Sequence, residues 1–313
     1  MRKIFALLFV FFITAFTASA ENIDVKISVP EVGISENVEF AKYETWPEAS
    51  LKMSIFAPAD GKKHPAVVFI PGGAWIAAPK ESGYYLCMKL AENGFVAASI
   101  EYRVIGAADY TEIIADAKAA VRFLRANADK FNIDADRIAA IGQSAGGYLS
   151  IMLGVTGDKF NSGDNLNQSS EVQAVVDFFG PTDLTKIADD YSDERKAVYY
   201  SPSSFVSIFV NGVAGYKNRK GGSILDNQQT AQDSNPLNYL SKNSKKTPPF
   251  LIFHGDSDKT VSPSQSKILH EALTAKGIDS TLYIIKGGEH DGKYFYQPEV
   301  LKIITDFLNR VLK

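Results

Sequence analysis

The sequence predicts an α/β fold with a mostly parallel central sheet flanked by helices. Six short apolar runs, Ala66–Ile70, Phe95–Ile100, Ile138–Ile141, Val172–Phe179, Phe250–Phe253 and Thr281–Ile285, lack polar alternation and are rich in Val, Ile and Phe. Strands covered on both faces have this character. Between several of these runs lie stretches with apolar residues at three- and four-residue spacing, the pattern of amphipathic helices. Strand alternating with helix gives a layered α/β architecture. At 313 residues, 45% hydrophobic and 22% charged, the chain fits one large folded domain rather than a collagen, a coiled coil or a disordered polymer.

The first residues stand apart. Met1, Arg2 and Lys3 give a positive start, an apolar run follows to Ala18, and Ala18-Ser19-Ala20 is a small-x-small cleavage pattern. This predicts a signal peptide over residues 1–20, a domain over 21–313, and a secreted or periplasmic protein. The apolar run is shorter than the roughly 20 residues that span a bilayer, so no stable membrane span is expected after its removal. Residues 24–58 read as short strands, Leu51–Phe56 among them, at an antiparallel sheet edge.

Tyr110–Ala128 carries Ile113, Ile114, Ala117, Ala120, Val121 and Leu124 on one helical face. Ser264–Lys276 repeats the pattern and stops at Gly277, a suitable C-terminal cap, and Pro298 opens a last helix. Residues 182–247 break the rhythm with Ser, Asn, Lys and Tyr, the pair Gly221-Gly222 and no clear strand, which predicts a cap-like insertion. Its aromatics Tyr191, Tyr199, Tyr200, Phe205, Phe209 and Tyr216 either line a substrate groove or give the insertion its own small core.

Composition excludes several functions. A net charge of −3 without a basic domain argues against nucleic acid as a partner. One cysteine, Cys87, and four histidines leave little for a thiol–zinc site. No Gly-x-Gly-x-x-Gly or phosphate loop is present, so neither a dinucleotide nor ATP is expected. The expected reaction needs no metal and no organic cofactor. The sequence does not define the oligomeric state.

Chemistry centres on Gly142-Gln143-Ser144-Ala145-Gly146, a Gly-x-Ser-x-Gly pattern between the strand ending at Ile141 and a helix-like run beginning at Tyr148. In a sharp strand-to-helix turn the central residue is strained and exposed, and flanking glycines remove the β-carbons that would collide. The free N–H groups of the following helix point at the reacting centre. A serine hydroxyl needs a base, normally a histidine steadied by a carboxylate. His64 precedes the first parallel strand and His270 lies within a helix, whereas His254 ends a strand and His290 sits in the glycine-rich loop Lys286-Gly287-Gly288-Glu289-His290. The loop favours His290 as the base. Asp256 and Asp258, both after the strand Phe250–Phe253, are the candidate acids, and the residues alone do not separate them. With either one the chain order is Ser, acid, His.

Several ordered blocks carry a wider likeness: Val67-Val68-Phe69-Ile70-Pro71-Gly72-Gly73-Ala74-Trp75, Glu101-Tyr102-Arg103, Asp134–Gly147, Phe179-Gly180-Pro181-Thr182-Asp183, His254–Val261 and Gly288-Glu289-His290. Over residues 40–313 the chain resembles a secreted member of the α/β-hydrolase superfamily, near the hormone-sensitive-lipase-like esterases and the feruloyl and acetylxylan esterases. The resemblance implies an α/β-hydrolase fold, a serine esterase working through an acyl-enzyme, and Asp258 as the acid. The substrate it implies is a small-molecule or polysaccharide-linked ester. It also implies an oxyanion hole of backbone N–H groups from Gly73, Ala74 and Ala145. Relatives begin the oxyanion loop with His-Gly-Gly, where this chain has Pro71, which offers no N–H. Trp75 and Tyr148, next to the loop and the elbow, are expected to contact substrate. An amide-cleaving hydrolase with the same triad, and an inactive hydrolase fold kept as a binding module, are the alternative readings.

Overall fold

The structure is a computed structural model and describes residues 22–43, 49–240 and 247–313. The predicted signal peptide and the basic cluster Lys242–Lys246 lie outside the described residues.

Eight strands form one sheet: β1 (Val32–Tyr43), β2 (Ala49–Pro58), β3 (His64–Ile70), β4 (Val96–Ile100), β5 (Ile133–Gln143), β6 (Ala174–Phe178), β7 (Phe250–Gly255) and β8 (Ser280–Ile285), in spatial order β1-β2-β4-β3-β5-β6-β7-β8. β1 pairs antiparallel with β2 and β2 with β4, while every other neighbouring pair is parallel. The C-terminal ends of β3, β5, β6, β7 and β8 therefore share one edge, where an open α/β sheet builds its sites.

The apolar runs occupy the strands for the reason the pattern implies. β4 and β6 are buried at all five positions, between helices on the two faces. One face packs on α2 (Tyr110–Ala126), α3 (Ala145–Val155) and α7 (Pro263–Ala275), the other on α1 (Tyr84–Glu92) and α8 (Pro298–Val311). The run Thr281–Ile285 is an exception. It forms the edge strand β8, where Tyr283 is 40% and Ile284 43% exposed, so only its inner flank is covered.

α2 starts at a capping box, with Asp109 accepting from the N–H groups of Thr111 and Glu112 while the Glu112 side chain accepts from the Asp109 N–H. It is tied to the loop after β4 by a buried ion pair. Arg103 donates from Nη2 to Asp116 Oδ1 at 2.8 Å and from its backbone N–H to Oδ2 at 2.9 Å, and its guanidinium lies 3.7 Å from the Tyr43 ring centre.

Between β6 and β7 the predicted insertion forms short helices, α4 (Asp193–Tyr199), α5 (Phe205–Asn211) and α6 (Gln228–Asp233), with 3-10 turns. Its aromatics build an interior: Tyr199 meets Tyr191 and Phe205, and Phe209 stacks on Trp75 with ring centres 4.0 Å apart and planes 12° from parallel. This favours the small-core alternative for Tyr199, Phe205 and Phe209. Tyr216 is 47% exposed.

Candidate active site

The elbow follows from close packing between β5 and α3. Ser144 has φ 55° and ψ −120°, a conformation that L-residues enter only under constraint. The constraint is visible. The Ser144 N–H donates to Phe178 O at 2.9 Å, and a β-carbon on Gly142 or Gly146 would come within 2.0 Å of Gly146 O or Ile70 O. Only glycine lets the strand turn into the helix at this separation.

Ser144, Asp258 and His290 meet at the common edge of the sheet. His290 Nε2 lies 2.9 Å from Ser144 Oγ, and His290 Nδ1 lies 2.7 Å from Asp258 Oδ2. A carboxylate only accepts, so Nδ1 carries the proton and Nε2 is free to accept from the Ser144 hydroxyl. The Phe179 ring, 4.4 Å from the imidazole centre, supports the side of His290. Asp258 Oδ1 accepts from the N–H groups of Thr260 at 2.7 Å and Val261 at 3.0 Å. Burial would raise the Asp258 carboxyl, but hydrogen bonds from His254, His290 and Thr260 together hold it well below the usual carboxylate range. The anion that must orient the base is thereby kept ionised.

The two aspartates left open by the sequence part company here. Asp256 accepts from the Gly287 N–H at 2.7 Å and the Ser257 hydroxyl at 3.0 Å, joining the acid loop to the histidine loop. Asp258 alone of the two bonds His290. Of the other histidines, His64 bonds Asp60 and Gly94 O at the opposite end of β3, His270 bonds Ser280, and His254 is fully buried at the end of β7.

After β3 the chain makes three successive positive-φ residues, Gly73 at 136°, Ala74 at 51° and Trp75 at 58°. Gly73 O accepts from Ile76 and Ala77, and the Tyr102 hydroxyl binds Pro71 O at 3.1 Å, which fixes the turn. Gly72 lies so close to the elbow that a β-carbon there would be 3.2 Å from Ser144 Cβ. The Gly73 and Ala74 N–H groups take no part in the turn's own hydrogen bonds. The Ala145 N–H opens α3, where the first N–H groups have no partner within the helix.

Trp75 and Tyr148 are placed differently from expectation. They are 1% and 0% exposed, so neither side chain offers surface to a substrate. The left-handed turn sends the Trp75 indole under the insertion, stacked on Phe209, with the Tyr148 ring edge-on to both. Tyr148 donates to Ser234 O at 2.6 Å. Both anchor the insertion to the elbow.

One buried group was not foreseen. Asp177 on β6 lies against the backbone of Gly147 and Gly180, accepts the Gly180 N–H at 3.0 Å through Oδ1, and has no partner for Oδ2 among the described residues. Burial pushes its carboxyl up to about 7, the Gly180 N–H opposing. In the sequence it sits inside an apolar run, where a single Asp was the only sign. The insertion also grips the acid loop: the Tyr199 hydroxyl donates to Thr260 O at 2.5 Å, Arg195 to Lys259 O, and Ser262 to Asp190.

Residues 53–273 match the BD-FAE family model. The chain belongs to the BD-FAE family. It is 31% identical over 73% of its length to Esterase LipC of Mycobacterium tuberculosis, and 27% identical over 79% of its length to isoprenylcysteine alpha-carbonyl methylesterase ICME of Arabidopsis thaliana. It covers 53% and 55% of those two proteins, so it spans about half the length of the curated relatives it matches. Among solved structures, a truncated carbohydrate esterase from gut microbiota is similar, with a TM-score of 0.77 and 27% identity over 91% of this chain and 98% of that one. A bifunctional GH43-CE protein of Bacteroides eggerthii is similar at a TM-score of 0.74 and 29% identity, over 90% of this chain and 38% of the other. The family and these neighbours agree with the α/β-hydrolase fold. Among the described residues no helix is long and apolar enough to cross a membrane.

Proposed function

We propose that the protein is an exported serine esterase that cleaves carboxylic esters through an acyl-enzyme. The observation that carries the reading is the hydrogen-bonded chain Asp258–His290–Ser144, with links of 2.7 and 2.9 Å. Ser144 Oγ attacks the ester carbonyl while its proton passes to His290 Nε2. The carbonyl oxygen becomes an anion facing the N–H groups of Gly73, Ala74 and Ala145, each worth about 3 kcal/mol to the transition state in comparable sites. Asp258 holds His290 in the tautomer that accepts this proton and stabilises the imidazolium that results. His290 then returns the proton to the departing alkoxide, the C–O bond breaks, and the alcohol leaves. A water molecule, deprotonated by His290, releases the acid in the same way. An acetyl or feruloyl ester on polysaccharide is the favoured substrate, supported by the carbohydrate-esterase neighbours and by the predicted export of the chain.

The test is hydrolysis of 4-nitrophenyl acetate, acetylated xylan, methyl ferulate and a peptide amide at equal enzyme, beside Ser144→Ala. Ester turnover that disappears in the variant, with fluorophosphonate labelling lost at the same time, is expected. Undiminished turnover in Ser144→Ala rejects the mechanism, and a preference for the amide rejects the esterase assignment.

A further inference from the structure

His254 has no part in the proton transfers described above, yet its ring touches the triad. The imidazole is fully buried at the end of β7. Its Nε2 lies 2.9 Å from Val261 O, and its Nδ1 lies 2.7 Å from Ser266 Oγ. A carbonyl oxygen cannot donate, so the proton must sit on Nε2, and in the neutral ring Nδ1 accepts from the Ser266 hydroxyl. The same Nε2–H faces Asp258 Oδ2 at 3.3 Å. That is the oxygen which His290 Nδ1 meets from its other side at 2.7 Å.

We propose that His254 is a positioning residue: its Nε2–H, oriented by Ser266, holds Asp258 Oδ2 where His290 meets it. The proposal rests on the serine-esterase reading of the site. The Asp258 carboxylate is gripped on Oδ1 by the Thr260 and Val261 N–H groups. Without a second contact on Oδ2 it can twist about its Cβ–Cγ bond, and the imidazole it orients moves with it. Oδ2 then points to His290 in only part of the population. Because His254 never touches substrate, its loss lowers turnover and leaves substrate binding alone.

Two measurements test this. Nitrogen-15 NMR of the imidazoles in the unmodified protein reads the His254 tautomer directly, whether or not the protein is an esterase. The Nε2–H form is expected, and the Nδ1–H form overturns the proposal. In an enzyme whose turnover depends on Ser144, His254→Leu should lower kcat on the order of tenfold to a hundredfold, the effect of misplacing a catalytic group by up to about 1 Å. KM should be unchanged, the signature of an interaction used only in the transition state. His254→Gln, whose amide N–H can stand in for Nε2–H, should recover most of the loss. A folded His254→Leu enzyme with the parental kcat overturns the proposal, as does a loss that His254→Gln does not restore. If His254→Leu does not fold, Ser266→Ala decides: the Val261 carbonyl still keeps the proton on Nε2, but the ring loses the hydroxyl that steadies its Nδ1 side, so a folded Ser266→Ala enzyme with the parental kcat overturns the proposal. A lowered kcat with KM unchanged supports it. Failure of the esterase reading is seen separately, as activity that survives Ser144→Ala.

Discussion

Replacing Asp177 by Asn should stabilise the protein, and more so at alkaline pH than in mild acid. Asn keeps an oxygen to accept the Gly180 N–H, the one hydrogen-bond partner of the Asp177 side chain among the described residues, and it resembles the protonated acid in shape and polarity. The folded carboxyl is raised by burial from 3.8 to about 7. Between those values the folded state therefore binds more proton than the unfolded state. Stability falls as pH rises through that window and levels off above it. Over the two pH units from about 5 to about 7, at roughly 1.4 kcal/mol per unit, the parent loses about 3 kcal/mol that Asp177→Asn does not lose. Urea unfolding of both proteins at about pH 5 and about pH 8 measures this, because taking the difference at each pH cancels every other titrating group. At about pH 5 the variant should already lead by about 2 kcal/mol, because the unfolded carboxyl is ionised there, and its lead should grow by about 3 kcal/mol in base. An equal difference at the two pH values would refute the claim that Asp177 titrates near neutrality.

Two further substitutions probe the loop and the ion pair. Gly73→Ala places a β-carbon 2.3 Å from Ala77 O on a residue with φ 136°; by distorting a donor of the proposed oxyanion hole it should lower kcat about a hundredfold or more, while far-ultraviolet circular dichroism stays that of the folded parent. Asp116→Asn removes the nearer, fully buried counter-charge of Arg103 and leaves only the half-exposed Glu112 at 3.5 Å, and should cost about 3 kcal/mol in urea unfolding, the low end of what removing one partner of a buried pair costs elsewhere.

Much of this molecule could be read from local pattern because its physics is local. The strands announce themselves as apolar runs since both faces of the sheet are covered, and the pattern misleads only for Thr281–Ile285, whose composition cannot tell an edge from a centre. The elbow is legible because glycine spacing at a sharp turn is a constraint within five residues. Ser144 is read from that turn and His290 from a glycine-rich loop after a strand, and the structure brings the two within 2.9 Å. The helix α1 went unmarked because Tyr84–Glu92 is short and holds apolar residues on more than one face. What escaped depends on neighbours distant in sequence. Trp75 and Tyr148 look like binding residues beside the reactive serine, and it takes Phe209, 134 and 61 positions further on, to bury them. Asp256 and Asp258 both reach the loop 286–290 and differ in which of its groups each one meets, the Gly287 N–H or the His290 imidazole. The partners of His254, in contrast, are near in sequence, Asp258, Val261 and Ser266, but it takes the folded turn after β7 to bring them onto one ring.

The three links from the insertion to residues 259–262, with the stacked rings of Trp75 and Phe209, make that segment a brace rather than a door. Swinging it outward would pull on the very turn that presents the acid and would unstack an indole beside the anion-holding loop. On the proposed reading, the rim of the site is thus held by contacts already made in the free chain. Wear or variation in α4, well away from the reacting atoms, should be felt as a slower catalyst and not as a wider gate.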